Sequence, residues 1–223
     1  MMDVLNINAN KRLAKFYDDV SGTADVLLVQ EWANHASSSV LNTVDELSGK
    51  PHRSVTKYLL AESKHEFTVL YEEDRVQVLD FSGVRIVNVY LPAGASRERA
   101  DMMNRLRNDV LPPFHPISLM VGDFNLAPTP EDGWYGPEIS TWTKGYERQE
   151  FLDLQVSCGL QDLGLSEPWS ATFERMNSGK LTAFRCDLAL ADESMWKWVD
   201  YIHDLRKSGK TDHSGILVRR KTP

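Results

Sequence analysis

The chain has 223 residues, a length that suits one domain with a substantial core, and its hydrophobic (42%) and charged (26%) fractions are ordinary for a globular protein. No low-complexity run, heptad array or fixed-period repeat is visible, which excludes a repeat architecture. The net charge of −7 excludes a globally basic nucleic-acid binder, so a polyanionic substrate would have to meet local basic patches or bound cations.

Features of export and membrane insertion are missing from the sequence. The first strand is predicted to begin almost at Met2, which leaves no room for a signal peptide. No apolar run approaches the roughly 20 residues that a membrane span needs. Cys158 and Cys186 are far apart and flanked by apolar residues, so buried free thiols are expected rather than a disulfide. We therefore expect a cytoplasmic protein, and no Cys or His cluster has the spacing of a zinc site.

The first part of the chain is predicted to alternate strands and helices. The segment MDVLNIN (2–8) is typical of a short strand, and NKRLAKFYDDV (10–20) has the apolar spacing of a helix. The continuous apolar run ADVLLVQE (24–31) predicts a central strand. The segment SSSVLNTVDELSG (37–49) opens with serines, carries one apolar face and stops at a glycine, which predicts a helix.

The middle of the chain predicts strands joined by a hairpin, followed by a helix. The strands are EFTVLYE (66–72), RVQVLDF (75–81) and VRIVNVYLP (84–92), and the dipeptide Ser82-Gly83 is a hairpin signal. The segment SRERADMMNRLRNDVLPP (96–113) predicts a helix that is capped by Ser96 and ended by proline.

The remainder of the chain predicts a mixed set of elements. A strand, ISLMVGDFN (117–125), is followed by the Pro- and Gly-rich loop APTPEDGWYGPE (127–138) and the helix ERQEFLDLQVSCGL (147–160). The last strands are ATFERM (171–176), LTAFRCDLALA (181–191) and SGILVRR (214–220), with VDYIHDL (199–205) as a further candidate. The order favours the α/β class, with two packed β-sheets and helices outside them, in a single domain over residues 1–223.

Polar residues close six of the predicted strands, and this pattern is the most informative one. They are Asn6 and Asn8, Glu31, Tyr90, Asp123 and Asn125, Asp187, and the pair Asp212 and His213. Taken singly, each has an ordinary explanation as a turn former or a surface residue. Together they favour one common rim, because the strand ends of a two-sheet sandwich can converge there.

The residue types at these strand ends suit phosphoester chemistry. Carboxylate and amide oxygens are the ligands that Mg²⁺ prefers, and Mn²⁺ accepts them as well. A carboxylate beside an amide can orient and deprotonate an attacking water. A histidine beside an aspartate has a fixed tautomer and a favoured charged form, which can donate to a phosphate where negative charge builds up.

Six segments, met in order from near residue 4 to near residue 218, carry a family resemblance. They are LNINAN, VQEW, VNVYLPAG, VGDFNLAP, RCDLALA and TDHSGILV. They resemble the motif blocks of the endonuclease/exonuclease/phosphatase superfamily, the DNase I-like fold, and most of all its exonuclease III, AP endonuclease and retrotransposon endonuclease branches. The resemblance implies a four-layer α/β sandwich, in which two mixed β-sheets pack face to face with helices outside.

The resemblance also implies a role for each strand-end residue. The implied metal-side residues are Glu31 as the principal Mg²⁺ ligand, with Asn8 and Asp212 near the ion. The implied catalytic residues are Asn6 on the phosphate side, Tyr90, Asp123 for the water, Asn125 for the phosphate, and Asp187, which orients His213 toward the scissile phosphate. One departure concerns the first block, which usually continues with glycine after its second asparagine, whereas Ala9 follows Asn8 here.

The substrate is the least determined part of the interpretation, because this superfamily cleaves nucleic acids, nucleotide conjugates and phospholipids. Several residues favour nucleic acid and are predicted to bind it, namely Arg97, Arg99, Lys207 and the aromatic wedge Phe184. Trp134 and Trp142 are candidate stacking residues. We therefore expect a monomeric Mg²⁺-dependent nuclease acting on DNA. The alternatives are a phosphoesterase of a small or lipid substrate, and a catalytically silent nucleic-acid-binding module.

Overall fold

The computed structural model describes residues 2–33, 50–94, 96–166 and 169–222, and within these ranges the strands form two six-stranded sheets and one four-stranded sheet. The helix predicted over residues 37–49 lies outside the described residues. The two cysteines are free and buried, as expected. In the described parts of the chain, we find no helix with both the length and the apolar character that crossing a membrane requires.

The first sheet contains both ends of the chain. Its strands, in spatial order, are β15 (Trp196–Ile202), β16 (Gly215–Arg220), β1 (Asp3–Asn8), β2 (Val26–Gln30), β4 (Leu59–Ser63) and β3 (His52–Val55). Strand β1 runs parallel to β2 and antiparallel to β16, so the sheet is mixed. Strands β3 and β4 were not among the predicted elements.

The second sheet is built from the middle of the chain. Its strands, in spatial order, are β11 (Gln161–Asp162), β14 (Asp187–Ala191), β8 (Leu119–Asp123), β7 (Val84–Tyr90), β6 (Val76–Phe81) and β5 (Thr68–Glu73). Strands β7 and β8 are parallel and the other pairs antiparallel. The predicted hairpin between β6 and β7 is present, since Ser82 and Gly83 both have positive φ (54° and 90°), as a tight hairpin turn requires.

The four-stranded sheet differs from the prediction in two places. It contains β9 (Gly133–Tyr135), β10 (Glu138–Ile139), β12 (Phe173–Asn177) and β13 (Lys180–Phe184), so that two short strands occupy part of the predicted loop 127–138. The single strand predicted over residues 181–191 is divided, because its first half pairs with β12 and its second half joins β8 in another sheet. The break falls at Arg185 and Cys186, beside the polar rim.

Helices cover the outer faces of the two large sheets. They are α1 (Tyr17–Ser21), which a short turn over Leu13–Lys15 precedes, α2 (Ser96–Arg105), α3 (Gly145–Cys158) and α4 (Asp204–Lys207). Helix α2 continues through a wider turn to Val110. The helices α2 and α3 confirm the predictions for those segments, whereas the segment 10–20 forms only short turns of helix.

Three apolar layers separate the sheets and helices. Side chains alternate along β1, so that Val4 packs between the two sheets while Leu5 and Ile7 pack against the segment before and within α1. The residues between the sheets include Val4, Leu28 and Ile216 of the first sheet and Leu79, Val121 and Ala189 of the second. Phe151 and Leu154 of α3 cover the outer face of the second sheet. The predicted four-layer α/β sandwich is confirmed.

The strand that ends at Asp123 is held unusually close to its neighbour. A Cβ atom added to Gly122 would lie 1.9 Å from the carbonyl oxygen of Val89 on β7. No side chain fits at that distance, so glycine is required where these two backbones approach each other. This close approach fixes the end of β8, and with it the position of the Asp123 side chain.

Candidate active site

The predicted polar residues meet at one end of the two large sheets. Asn8 and Asp123 end β1 and β8, Tyr90 ends β7, and Asp187 begins β14, which runs antiparallel to β8. Strand β16 is antiparallel to β1, so His213 just before it reaches the same end. A cavity of about 700 Å³ opens there, and its polar lining includes Asn10, Glu31, Asp123, Asn125, Asp212 and His213. The common rim expected from the sequence is therefore present.

The carboxylates of Glu31 and Asp123 both lie close to the side-chain amide of Asn8. The Asn8 Nδ2 donates to Asp123 Oδ2 at 2.8 Å and lies 3.5 Å from Glu31 Oε1. The hydroxyl of Tyr90 donates to the same Glu31 oxygen at 2.5 Å. Because β1 and β8 belong to different sheets, the Asn8 amide joins the two sheets at the site. Burial, with the Asp123 carboxylate nearby, raises the pKa of Tyr90, so the phenol remains a donor.

The second pair consists of His213 and Asp187. The His213 Nδ1 lies 2.9 Å from Asp187 Oδ2 and 3.2 Å from Oδ1, and both residues are buried. Burial opposes the charging of the imidazole, but the facing Asp187 carboxylate outweighs it and raises the pKa of His213 to about 10. The ring of Phe173 packs 5.0 Å from the imidazole ring. The His213 ring is therefore held in one orientation and in its charged form.

The Asp123 carboxylate lies beside this pair, and its surroundings favour its neutral form, whereas those of His213 favour the charged form. Asp123 is the Cα partner of Asp187 across β8 and β14, and one of its carboxylate oxygens lies within 4.8 Å of a His213 ring nitrogen. Burial raises the pKa of Asp123 to about 7, and the Asp187 carboxylate adds to the rise. A carboxyl group with a pKa near neutrality can both accept and release a proton at neutral pH, which is the property of a general base.

Asn125 is engaged in hydrogen bonds within the protein, two of which hold the Asp123 carboxylate. Its backbone N–H donates to Asp123 Oδ1 at 2.8 Å, and its side-chain Nδ2 donates to Asp123 Oδ2 at 3.1 Å and to the Leu91 carbonyl at 2.9 Å. Its φ of 49° is a conformation that asparagine adopts more readily than most residues. Both Nδ2 hydrogens are therefore engaged within the protein, and the predicted phosphate contact would have to replace one of these bonds.

The assignment of the first motif block needs to be shifted by two positions along the chain. Asn6 is fully buried between the sheets, where its Nδ2 donates to the Leu28 carbonyl at 3.3 Å, and it does not line the cavity. Asn8 is equally buried, but it bonds directly to the Asp123 carboxylate of the site. Asn10 lines the cavity and donates to Asp212 Oδ1 at 2.8 Å. Lys11 follows with φ 62°, the conformation that favours glycine. The glycine that usually follows the second asparagine therefore corresponds to Lys11, and Asn6 is a structural residue.

The oxygen donors at the rim have the chemistry of a site for a hard divalent cation. Glu31, Asn10 and Asp212 all line the cavity, and the carboxylates of Glu31 and Asp212 are partly exposed, with side-chain exposures of 19% and 27%. These hard oxygen donors fit a Mg²⁺ or Mn²⁺ ion that keeps part of its water. Within the described residues, a second set brings the Cys186 thiol to within 4.8 Å of Asp123 and His213. Burial raises the pKa of that thiol well above its usual value, so the oxygen set fits better.

Comparison with known proteins relates the whole chain to solved structures. No protein-family model matches it, and no curated protein does. The structure of the 3′ phosphatase NExo from Neisseria bound to a product DNA hairpin has a TM-score of 0.71 and 19% identity over 100% of both chains. An AP endonuclease from Archaeoglobus fulgidus has a TM-score of 0.73 and 17% identity, again over 100% of both chains.

A third similar structure is the AP endonuclease LMAP from Leishmania major, with a TM-score of 0.72 and 14% identity over 99% of this chain and 88% of that one. The chain has the DNase I-like fold. The fold expected from the six motif segments is thereby confirmed. The DNase I-like fold places those segments at the end of the sheets where the cavity opens.

The predicted substrate-binding residues are distributed differently from the prediction. Phe184 and His213 line the same cavity, and Lys207 lines a neighbouring groove. Arg97 projects from α2 into solvent, with 77% of its side chain exposed, and pairs with Asp101 one turn later. Arg99 is the clearest difference. It is buried, and its Nε lies 2.6 Å from Glu147 Oε1 of α3, so we correct its role from substrate contact to structural ion pair.

The tryptophans and two threonines complete the surroundings of the site. Trp142 is half exposed and lines the cavity, whereas the Trp134 indole donates to the Glu131 carbonyl at 2.8 Å. Thr172 was missed by the sequence analysis, although its Oγ1 accepts from the Cys186 and Asp187 backbone N–H groups at 3.1 and 3.0 Å. Thr211 donates to the Asn8 carbonyl at 2.9 Å. Neither threonine has a sequence signal, because each lies in a segment where threonine is ordinary.

Proposed function

We propose that the protein is a divalent-metal-dependent phosphodiesterase that acts on DNA. The observation that carries the proposal is the joint geometry of Asp123 and His213. A carboxyl group with a pKa near 7 and an imidazole with a pKa near 10 lie within 4.8 Å of each other on one cavity. One is suited to accept a proton and the other to donate a hydrogen bond to an anion, and hydrolysis of a phosphodiester needs both.

In the proposed reaction, Asp123 accepts a proton from water as the water oxygen bonds to phosphorus. Asn8 and Asn125 hold the carboxylate in place through their Nδ2 atoms. The charged His213 ring, oriented by Asp187, donates to a phosphate oxygen where negative charge develops. The bond from phosphorus to the 3′ oxygen breaks on the side opposite the attacking water. A divalent ion held by Glu31, Asn10 and Asp212 would supply positive charge to the phosphate and to the leaving oxygen.

Nucleic acid is the substrate class that the surroundings of the cavity favour. Phe184, Phe173 and Trp142 line the cavity, and aromatic faces of this kind stack on bases. One structure of similar fold, the NExo phosphatase, is described as bound to a product DNA hairpin. These two observations favour DNA over a lipid or a small phosphoester. The free, buried cysteines support a reducing compartment such as the cytoplasm.

The test is a cleavage assay with purified protein on defined oligonucleotides. The substrates are plain, nicked and abasic duplexes and a strand ending in a 3′ phosphate, each with Mg²⁺, with Mn²⁺ and with EDTA. We expect metal-dependent cleavage of at least one of them, loss of that cleavage in Asp123→Asn, and full activity in Asp192→Asn, a matched change in a turn outside the site. Metal-dependent hydrolysis of a phosphoinositide or a nucleotide conjugate alone would favour the small-substrate alternative.

A further inference from the structure

A second cavity of about 750 Å³ adjoins the active-site cavity. The two share Asn10, Arg175 and Asp212 in their linings, so the second one is a lateral extension of the first. We call it the basic groove, and its remaining lining residues are Arg12, Glu174, Arg206, Lys207, Gly209 and Thr211. It begins beside the oxygen donors of the active site and leads away from them along β12 and α4.

The groove concentrates positive charge on an acidic protein. Four of its lining residues are cations, and two are anions, although the whole chain carries a net charge of −7. Arg206 is paired with Glu174. Arg12, Arg175 and Lys207 are exposed, and none of them takes part in an ion pair in the parts of the chain that the structure describes. Cations without partners attract a polyanion more strongly than paired ones, because their charge is not already neutralised.

The shape and lining of the groove favour a nucleic-acid strand over a membrane surface. The groove is concave, whereas a membrane-binding surface is flat or convex and inserts large apolar side chains. The lining of the basic groove contains no such side chain, since its residues are all polar, charged or glycine. A strand with a phosphate at the active site has further phosphates on either side, and one side can enter the groove directly past Asn10 and Asp212.

We propose that the basic groove binds the backbone phosphates of a nucleic-acid strand on one side of the scissile bond, through Arg12, Arg175 and Lys207. This inference rests on the proposed function, because it assigns a path to the substrate of the same site. It implies that affinity rises with oligonucleotide length until the groove is filled. It also implies that part of the salt dependence of binding belongs to these cations.

The test compares binding of a fluorescent oligonucleotide to the parent and to the double variant Arg12→Gln/Lys207→Gln, in EDTA and over a range of KCl concentrations. The plot of log K against log salt has a negative slope, and losing two phosphate contacts should make it less steep, by about 1.4 on single strands and about 1.8 on duplex. This change corresponds to a loss of affinity of about 25- to 60-fold at 0.1 M salt. Arg175 is left unchanged, since it also lines the active-site cavity.

The control is Lys64→Gln/Lys197→Gln, which removes the same charge at the opposite end of the first sheet. Lys64 follows Ser63, the end of β4 that pairs with the start of β2, and Lys197 lies opposite Arg219 at the far end of β16. This control should bind as the parent does. If the groove variant also binds like the parent, or if it loses only binding to phosphatidylserine vesicles, the inference is overturned.

The outcomes separate the groove from the catalytic proposal. Cleavage of DNA by the parent together with unchanged binding by the groove variant would overturn the groove alone. Failure of the parent to cleave any substrate would overturn the proposed function. The salt slope and the length dependence would still report on the groove in that case, because binding is measured without cleavage.

Discussion

Asp187→Asn is the substitution that tests the charged state of His213. The Asp187 carboxylate faces the imidazole Nδ1 at 2.9 and 3.2 Å, and both side chains are buried. Asparagine keeps the shape of the side chain and can still accept a hydrogen bond from Nδ1, so the fold should be retained. What the substitution removes is the negative charge that keeps the ring protonated against the effect of burial.

The expected magnitude follows from the pKa of the ring. With a pKa of about 10, His213 is almost fully charged at pH 7 in the parent. Without the facing carboxylate, burial lowers the pKa of His213 while the Asp123 and Asp212 carboxylates still raise it, so we expect the pKa to fall toward the ordinary value of about 6.5. At that value, about a quarter of the molecules would carry a charged ring at pH 7. At that charged fraction the reaction slows about fourfold at pH 7. The loss in kcat grows as pH rises and the charged fraction falls, up to the limit of about 10²- to 10⁴-fold where no charged donor remains.

The assay pairs a kinetic measurement with a spectroscopic one. Single-turnover cleavage at saturating DNA gives the rate, and NMR of the imidazole gives the pKa of His213 in both proteins. Because the ring of the variant gains its charge as pH falls through its lowered pKa, the ratio of variant to parent rate should rise on acidification from pH 8 to pH 6. A variant that cleaves DNA at the parent rate, or whose His213 still titrates well above pH 7, would refute the reasoning. Asp192→Asn serves as the matched control.

Two further substitutions test the corrected assignments. Asn10→Ala should weaken the apparent Mg²⁺ affinity, measured as the dependence of the rate on Mg²⁺ concentration, by about 10- to 100-fold. Asn6→Ala should leave that affinity unchanged. An equal effect of both substitutions would contradict the shift of the first motif block by two positions. Glu147→Ala leaves Arg99 as an unpaired buried cation and should lower the free energy of unfolding, measured by urea titration, by about 3–5 kcal/mol. The control is Glu98→Ala, at an exposed residue next to Arg99, which should change that free energy by less than about 0.5 kcal/mol. Similar losses in both variants would contradict the structural role of the ion pair.

The strands were predictable where local pattern and burial agree. The runs that became β2 and β8 contain no polar residue before their last one because both of their faces are covered, and such runs are visible in the sequence alone. Strand β4 was missed for the opposite reason. Its residues Leu59–Ser63 are all buried, yet two of them are polar, since Glu62 meets Arg53 and the hydroxyl of Tyr17. Partners that are distant in the chain make such a strand stable, and they leave no local signal.

The site shows the same division between local and distant causes. The period of two in β1 correctly placed Asn6 and Asn8 on one face, but it could not show where the strand leaves the core. That point is set by the neighbouring strands, since both Asn6 and Asn8 are buried and only Asn10, beyond the end of β1, lines the cavity. Arg99 likewise has the sequence position of a surface residue on a helix. It is buried because Glu147 approaches from another helix.

By itself, the sequence determined most of the central strands, the two long helices α2 and α3, the fold that the six motif segments imply, and the identity of the polar residues at the strand ends. Only the tertiary structure decided which of those residues share the cavity, which are buried supports, and which cations form the basic groove. The physical reason is one of range. Hydrophobic period and turn chemistry act between near neighbours in the chain, whereas burial, ion pairing and pKa depend on groups brought together from distant segments.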